Sequence, residues 1–188
     1  MSDMSGGGWL VLFLVAQRLV ELIYAQRNTA RLRAAGAVEF GASHYLLIVA
    51  LHAGWLLALW AAGHDRAIDL FWFAVFAVLQ AGRLWVILSL GPRWTTRIIV
   101  LPGAPPVARG PYRWLSHPNY LIVLLEIAVT PLVLGLPVLA LVFGLANAGL
   151  LAYRIRVENR ALAWAVSRTG APEPASPVHR FTETGERG

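Results

Sequence analysis

The chain contains no cysteine and no lysine. The first absence excludes disulfides, thiolate metal sites and cysteine nucleophiles, and no other residue cluster suggests a metal. The second leaves arginine as the only fixed side-chain cation. Arginine grips phosphate and carboxylate oxygens in pairs, but genomic base composition accounts for the bias as well, so it assigns no function by itself. Charge is scarce too: 14% of the 188 residues, against about 25% in soluble proteins. With a mean hydropathy of +0.59, a soluble globular class fits poorly. A glycine-rich nucleotide loop of the soluble type is also lacking. The glycines of GGGW (Gly6–Trp9) precede an apolar run, and GLANAG (Gly144–Gly149) lies within one. The net charge of +6 does not point to nucleic acid, because the arginines fall between apolar runs.

What is abundant is apolar sequence, at 57%. Five runs stand out: Trp9–Tyr24, Tyr45–Ala62, Ile68–Leu90, Tyr120–Leu136 and Pro137–Tyr153. Each approaches the roughly 20 residues that cross a bilayer as a helix. The first lacks a basic preceding region and carries Gln17, Arg18 and Glu21, so it is expected to be a span and not a cleaved signal. The last two are separated only by LGLP (Leu134–Pro137), which predicts an antiparallel helical hairpin with Pro137 at a helix start. Pro131 is expected to kink the fourth helix near its end.

The arginines predict an orientation. Arg27, Arg31 and Arg33 follow the first run, and Arg93, Arg97, Arg109 and Arg113 follow the third. Arg154, Arg156, Arg160, Arg168, Arg180 and Arg187 follow the fifth, against a single Arg66 on the other side. That asymmetry places the N-terminus outside and the C-terminus in the cytoplasm. Trp9, Trp55, Trp60 and Trp72 are then expected near the outer interface, and Tyr24, Tyr45, Trp94 and Tyr153 near the inner one. The predicted fold class is all-α: an integral membrane bundle of about five transmembrane helices over residues 1–168. From about Thr169 to Gly188 the chain is rich in Pro, Gly, Thr and Ser, and a flexible tail is expected.

Polar residues inside spans are costly and therefore informative. Gln17, Gln80 and Asn147 suit amide bridges between helices. Arg18 and Glu21 are three apart on one face and can pair. For Arg18, Glu21 and Arg83, a buried ion network and a place in a pocket are both open. Glu126 lies beyond His117, deeper in the membrane, and is a candidate to line the same cavity and touch an acceptor. His52 reads as a core histidine with its hydrogen bonds met, and His44 and His64 as structural residues at the interfaces.

Two segments carry the chemistry. The first is RGPYRWLSHPNY, Arg109–Tyr120. Gly110-Pro111 makes a turn, and Pro118 suits the first position of a helix. His117 then caps that helix, and its free N–H groups form a site for an anion such as a carboxylate. Tyr112, Trp114 and Tyr120 offer aromatic faces to a heterocycle or cation. The second is YRIRVENRAL, in which Arg154 and Glu158 share a helical face at i,i+4. The predicted hairpin brings the two segments together on one side of the membrane. A helix N-terminus, a carboxylate, a guanidinium and aromatics beside lipid suit a zwitterionic, nucleoside-bearing ligand and a lipid-borne acceptor. Arg156 and Arg160 read as ordinary interfacial anchors.

The pair RGPYRWLSHPNY and RIRVENRAL, separated by a helical hairpin, resembles the isoprenylcysteine carboxyl methyltransferase family of integral membrane enzymes. The family pattern is a Gly-x-Tyr turn, then Arg-His-Pro-x-Tyr, then Arg-x-x-x-Glu-(Glu)-x-x-Leu. The match runs from about Arg93 to Leu162. QRLVEL, GASHY, SLG and TTRIIVLPGA extend the likeness to a shorter bacterial branch, whose members methylate hydroxyls of long-chain alkylpyrones or alkylresorcinols. The resemblance implies S-adenosylmethionine as methyl donor, in a cofactor site drawn from residues 93–120 and 153–162. It would lie against Val107, Tyr112, His117, Pro118, Asn119, Tyr120 and Glu158, with Arg154 toward the acceptor. The expected partners are a lipophilic small molecule (an alkylpyrone or alkylresorcinol, or a prenylated carboxylate) and membrane lipids, not nucleic acid, and the expected location is a bacterial inner membrane with the site facing the cytoplasm. Two positions depart from the pattern: Ser116 stands where arginine is usual, and Asn159 where a second acid is common.

In such a reaction the enzyme mainly aligns two reactants. An enolic pyrone hydroxyl or a carboxylate is already ionised near neutral pH. A resorcinol hydroxyl, with a pKa near about 10, needs help, and His117 or a pocket carboxylate is placed to give it. Arg154 is expected to orient the anionic acceptor, so Arg154 and His117 are the candidate catalytic residues. The rival expectations are a phospholipid N-methyltransferase, a sterol-type reductase, and a membrane sensor or lipid-binding protein without enzymatic activity.

Overall fold

The computed structural model describes residues 4–168, so the tail expected to be flexible lies outside the described residues. The architecture is an all-α membrane bundle. Helices α1 (Gly6–Ala34), α2 (Ala42–Gly63), α3 (Leu70–Leu90) and α5 (Pro137–Val166) are long and apolar enough to cross a bilayer. The fourth helix, α4 (Pro118–Val133), has 16 residues. At 1.5 Å per residue it spans about 24 Å, short of the roughly 30 Å hydrocarbon core. Large side chains such as Leu57, Phe71, Val78 and Leu145 stand exposed around the bundle, as suits a surface solvated by lipid. The interior is filled by Leu10, Leu14, Leu59, Phe76, Ile127 and Val133, joined by the fully buried Trp55. Trp55 thus packs in the core instead of at an interface, and Trp94 is also buried, stacked on Tyr24 at 5.9 Å.

Helices α1 and α5 outrun their apolar stretches. Helix α1 continues ten residues past Tyr24 to Ala34, and α5 continues from Tyr153 to Val166. Arg27, Arg31, Arg33, Arg154, Arg156 and Arg160 are therefore helical residues, not loop residues. The hairpin expected from LGLP is present. Leu136 N–H donates to the Pro131 carbonyl at 2.9 Å and Gly135 N–H to Leu132 at 3.0 Å, a Schellman-type closure. Pro131 sits inside α4, two residues before its end. Arg66 serves this end of the bundle by donating to the Gly135 carbonyl at 3.2 Å.

That end is tightly closed. Gly7 N–H donates to the Arg66 carbonyl at 3.0 Å. A methyl added at Gly7 would fall 2.1 Å from the Gly63 carbonyl oxygen, so only glycine lets α1 approach so closely. At the opposite end the chain forms a feature the sequence did not suggest, a two-stranded antiparallel sheet. Strand β1 (Val38–Phe40) pairs with β2 (Ile98–Val100) in the register Val38↔Val100, Glu39↔Ile99, Phe40↔Ile98. A ribbon this short needs support. It gets it from α5, where Ile98 and Val100 pack with Ala161 and Ala165, and Phe40 meets Trp164 edge-on at 5.1 Å.

Candidate functional site

Between this ribbon, the start of α4 and the extended part of α5 lies a cavity of about 500 Å³, within the roughly 300–1,000 Å³ of small-molecule sites. The segment Arg109–Tyr120 enters it through a forced turn. Gly110 has φ +57°, and a methyl there would lie 2.0 Å from the Ser89 hydroxyl, so the backbone packs directly on α3. Arg109 Nε donates to the Ser89 carbonyl at 2.6 Å and fixes the same approach. A short 3-10 turn at Gly110–Arg113 follows. Helix α4 then starts with His117 as N-cap and Pro118 as its first residue, and the His117 side chain makes no capping bond. Pro118 has no N–H, and the Tyr120 and Leu121 N–H groups donate to the His117 carbonyl at 3.1 and 3.3 Å, which leaves, among the described residues, the Asn119 N–H as the open donor of this first turn.

Of the residues expected in the site, Val107, Tyr112, His117, Asn119, Tyr120, Arg154 and Glu158 all line the cavity. Tyr120 is the joint between the two helices. Its hydroxyl donates to the Glu158 carboxylate and accepts from Arg154 Nε at 2.8 Å. Arg154 and Glu158 are therefore linked through Tyr120 and not directly. Arg154 is buried, and its second fork nitrogen donates to the Thr96 carbonyl at 2.7 Å. His117 stacks on Tyr120 at 5.5 Å, and its Nε2 meets the Asn159 side-chain oxygen at 3.0 Å. Asn159, noted as a departure from the usual acid, thus holds the histidine. Burial, and then the charge of Glu158, push the Tyr112 phenol well above its ordinary pKa, so it remains a neutral hydroxyl and not a base.

Three expected residues are placed elsewhere. Pro118 is buried at the start of α4 and does not line the cavity. Trp114 points outward, exposed, with Trp85 at 6.1 Å. Glu126 is fully buried inside the bundle and bound to other side chains, away from the cavity. The reason is helical phase. Nine residues separate His117 from Glu126, two and a half turns at 3.6 residues each, which sets them on opposite faces of α4. Glu126 meets Arg18 at 2.6 Å, Arg83 at 2.8 Å and Gln80 at 2.8 Å. Glu21 completes the cluster through Arg83, Arg18 and Gln17, and Gln17 reaches Gln80 at 2.8 Å. Arg18, Glu21 and Arg83 therefore belong to a buried ion network, and Gln17 and Gln80 bridge helices as expected. His52 bonds the Ile48 carbonyl at 2.8 Å.

The expected range 93–120 includes one wall whose residues and strand the sequence did not single out. Residues 95 and 97–101 line the cavity, and Arg97 joins the ribbon to it through Glu39 at 2.6 Å. Arg93 donates to the Pro105 carbonyl at 2.6 Å, tying the following loop over the site. The signal was present in TTRIIV, a β-branched run ending in Leu-Pro-Gly.

The model of the isoprenylcysteine carboxyl methyltransferase (ICMT) family matches residues 72–164, which hold α3, the turn, the α4–α5 hairpin and Glu158. The chain is also similar to the uncharacterized protein YpbQ of Bacillus subtilis (strain 168). The two are 39% identical over 160 residues, covering 82% of this chain and 95% of that one. No solved structure matches.

Proposed function

The chain belongs to the isoprenylcysteine carboxyl methyltransferase family of membrane methyltransferases, and we propose that it transfers a methyl group from S-adenosylmethionine to an oxygen of a lipophilic acceptor. The observation that carries this reading is the set of groups around one cavity: the Glu158 carboxylate, the uncapped start of α4, the His117, Tyr112 and Tyr120 rings, and the Arg154 guanidinium. These groups fit that donor. A carboxylate and aromatic faces suit its cationic sulfonium and ammonium ends, and the Asn119 N–H at the positive end of the α4 dipole suits its carboxylate. The cavity volume suits its size. When bound, the donor supplies an electrophilic methyl on sulfur.

This chain's residues then have separate tasks. Glu158 and the α4 start hold the donor, with Tyr120 fixing the Glu158 carboxylate. Asn119, Val107 and Tyr112 shape the cavity around it. Arg154, held by Tyr120 and Thr96, orients an acceptor oxygen that is already an anion, such as an enolic pyrone hydroxyl. For a phenolic acceptor, His117 is the residue placed to take the proton. The arginine distribution supports a cytoplasmic site, with the N-terminus outside and the bundle in a bacterial inner membrane.

The test is methyl transfer from labelled S-adenosylmethionine to alkylpyrones and alkylresorcinols of increasing chain length. Each methylene buried against the protein contributes about 0.8 kcal/mol, so apparent affinity should rise about fourfold per methylene until the chain leaves the protein surface. Equal activity on the tail-less ring would show that no lipid-facing groove is used.

A further inference from the structure

On the far side of Thr96 and Arg97 lies a second cavity of about 260 Å³, lined by Gln26, Thr29 and Arg33 of α1, by Tyr45 of α2, and by Thr96 and Arg97. Two guanidiniums beside one space repel each other unless an anion stands with them. Glu39 supplies one, accepting from Arg33 and, at 2.6 Å, from Arg97. Burial alone would raise the Glu39 carboxyl, but the hydrogen bonds and charges of Arg97 and Arg33 outweigh it and hold it below the usual carboxylate range. It therefore remains charged near neutral pH, and the cluster keeps a surplus of one positive charge. Each arginine gives Glu39 one nitrogen, while a guanidinium carries five N–H donors. Arg97 lies over the Tyr45 ring at 4.2 Å, which fixes its plane. The remaining lining is the Thr29 and Thr96 hydroxyls, the Gln26 amide and Ala30, and among the described residues no carboxylate lines the cavity itself. One surplus positive charge among neutral donors matches a singly charged phosphodiester.

Depth points to the source of that phosphodiester. Residues 26–33 continue α1 past the apolar run that ends near Tyr24, and Tyr45 stands in the first turn of α2, so the recess opens at the headgroup level. Just membrane-ward, Ile23 on α1 and Leu46 and Leu47 on α2 are exposed, an apolar surface on which acyl chains can lie. We propose that this recess binds the phosphodiester of an anionic phospholipid. The lipid would also bear on the methyl-transfer cavity, because Arg97 lines both spaces. Thr96 carries the carbonyl that holds Arg154, and its hydroxyl lies 3.4 Å from that of Tyr45.

The experiment uses the full-length protein, purified in detergent and stripped of lipid. Native mass spectrometry then follows retention of phosphatidylglycerol, phosphatidylcholine and inorganic phosphate, with melting temperatures recorded beforehand to check the fold. One phosphatidylglycerol should be retained about tenfold more strongly than phosphatidylcholine. Arg33→Gln should lower that retention by about tenfold, the size of one charge-assisted contact. Thr29→Val, which touches no ion pair, should lower it by about threefold, and serves as the decisive variant if Arg33→Gln melts early. Equal retention of the two lipids, or undiminished retention in a folded Arg33→Gln and in Thr29→Val, would overturn the proposal. Displacement of the lipid by millimolar inorganic phosphate would overturn the lipid source and assign the recess to a soluble phosphate.

Discussion

Inside the bundle, Arg18, Glu21, Arg83 and Glu126 form a four-cornered ring in which each guanidinium meets both carboxylates. At the ribbon end, Arg154 and Glu158 are also an arginine and a glutamate from neighbouring turns, but the Tyr120 hydroxyl stands between them and both line open space. The residue types are the same and the uses differ. In the ring, opposite charges cancel and Gln17 and Gln80 take up further oxygens, so little is left for a ligand and the cluster fixes how α1, α3 and α4 meet. At the cavity, charge is left facing a volume that a small molecule can fill. What the partners of a buried arginine leave over, more than its depth, separates the cluster that is used up internally from the one that can still meet a ligand.

The largest effect that would test this contrast is on the ring. Arg83→Met leaves two carboxylates sharing one guanidinium, and breaking a buried pair in this way costs about 3–5 kcal/mol. Thermal unfolding in detergent should show a large drop in stability. Adding Glu126→Met restores neutrality and should recover much of it. Losses that simply add would mean that the ring is not a coupled unit.

The next effect belongs to the cavity. Glu158→Gln should weaken S-adenosylmethionine binding by about 10- to 100-fold, the range of a hydrogen bond to a charged group, with little change in melting temperature. Calorimetry and a melting curve on the same preparation separate the two clusters. A melting loss as deep as that of Arg83→Met would move Glu158 into the structural class. The smallest effect is at the joint. Tyr120→Phe keeps the ring stacked on His117 but removes the hydroxyl that links Arg154 to Glu158. Donor affinity should fall by about threefold to tenfold, and unchanged affinity would show that Glu158 is fixed without its help.

Much of this arrangement was legible because it depends on short-range rules. Pro118 after His117, and Gly135 followed by Pro137, mark helix starts and a turn that any reader of caps can place. The hairpin between them then forces His117–Tyr120 and Arg154–Glu158 into one neighbourhood. What was not legible depends on distance or phase. Strands β1 and β2 are three residues each and about 60 positions apart, so neither shows a period of its own. Tyr120 sits between Arg154 and Glu158, which spacing on α5 alone suggests would pair directly. Glu126 shares a helix with His117, and depth along the axis drew it toward the cavity when its half-turn offset faces it toward Arg18 and Arg83.

The close contact of Gly7 with Gly63 and Arg66 has a mechanical consequence. Backbone rests on backbone there, with the Leu134 side chain packed beside it, so that end behaves as a pin. The opposite end is joined by side chains, among them Asn28, which donates to the Gly91 and Trp94 carbonyls at 3.2 and 2.8 Å, and by a six-residue ribbon. Any relative tilt of α1 and α2 must then be expressed at the cavity end. A rotation of about 5° about the pin, carried over a span of roughly 30 Å, displaces the far end by about 2.6 Å. A change in bilayer thickness that alters helix tilt is therefore expected to change the spacing of α1 and α2 at that far end more than at the pin.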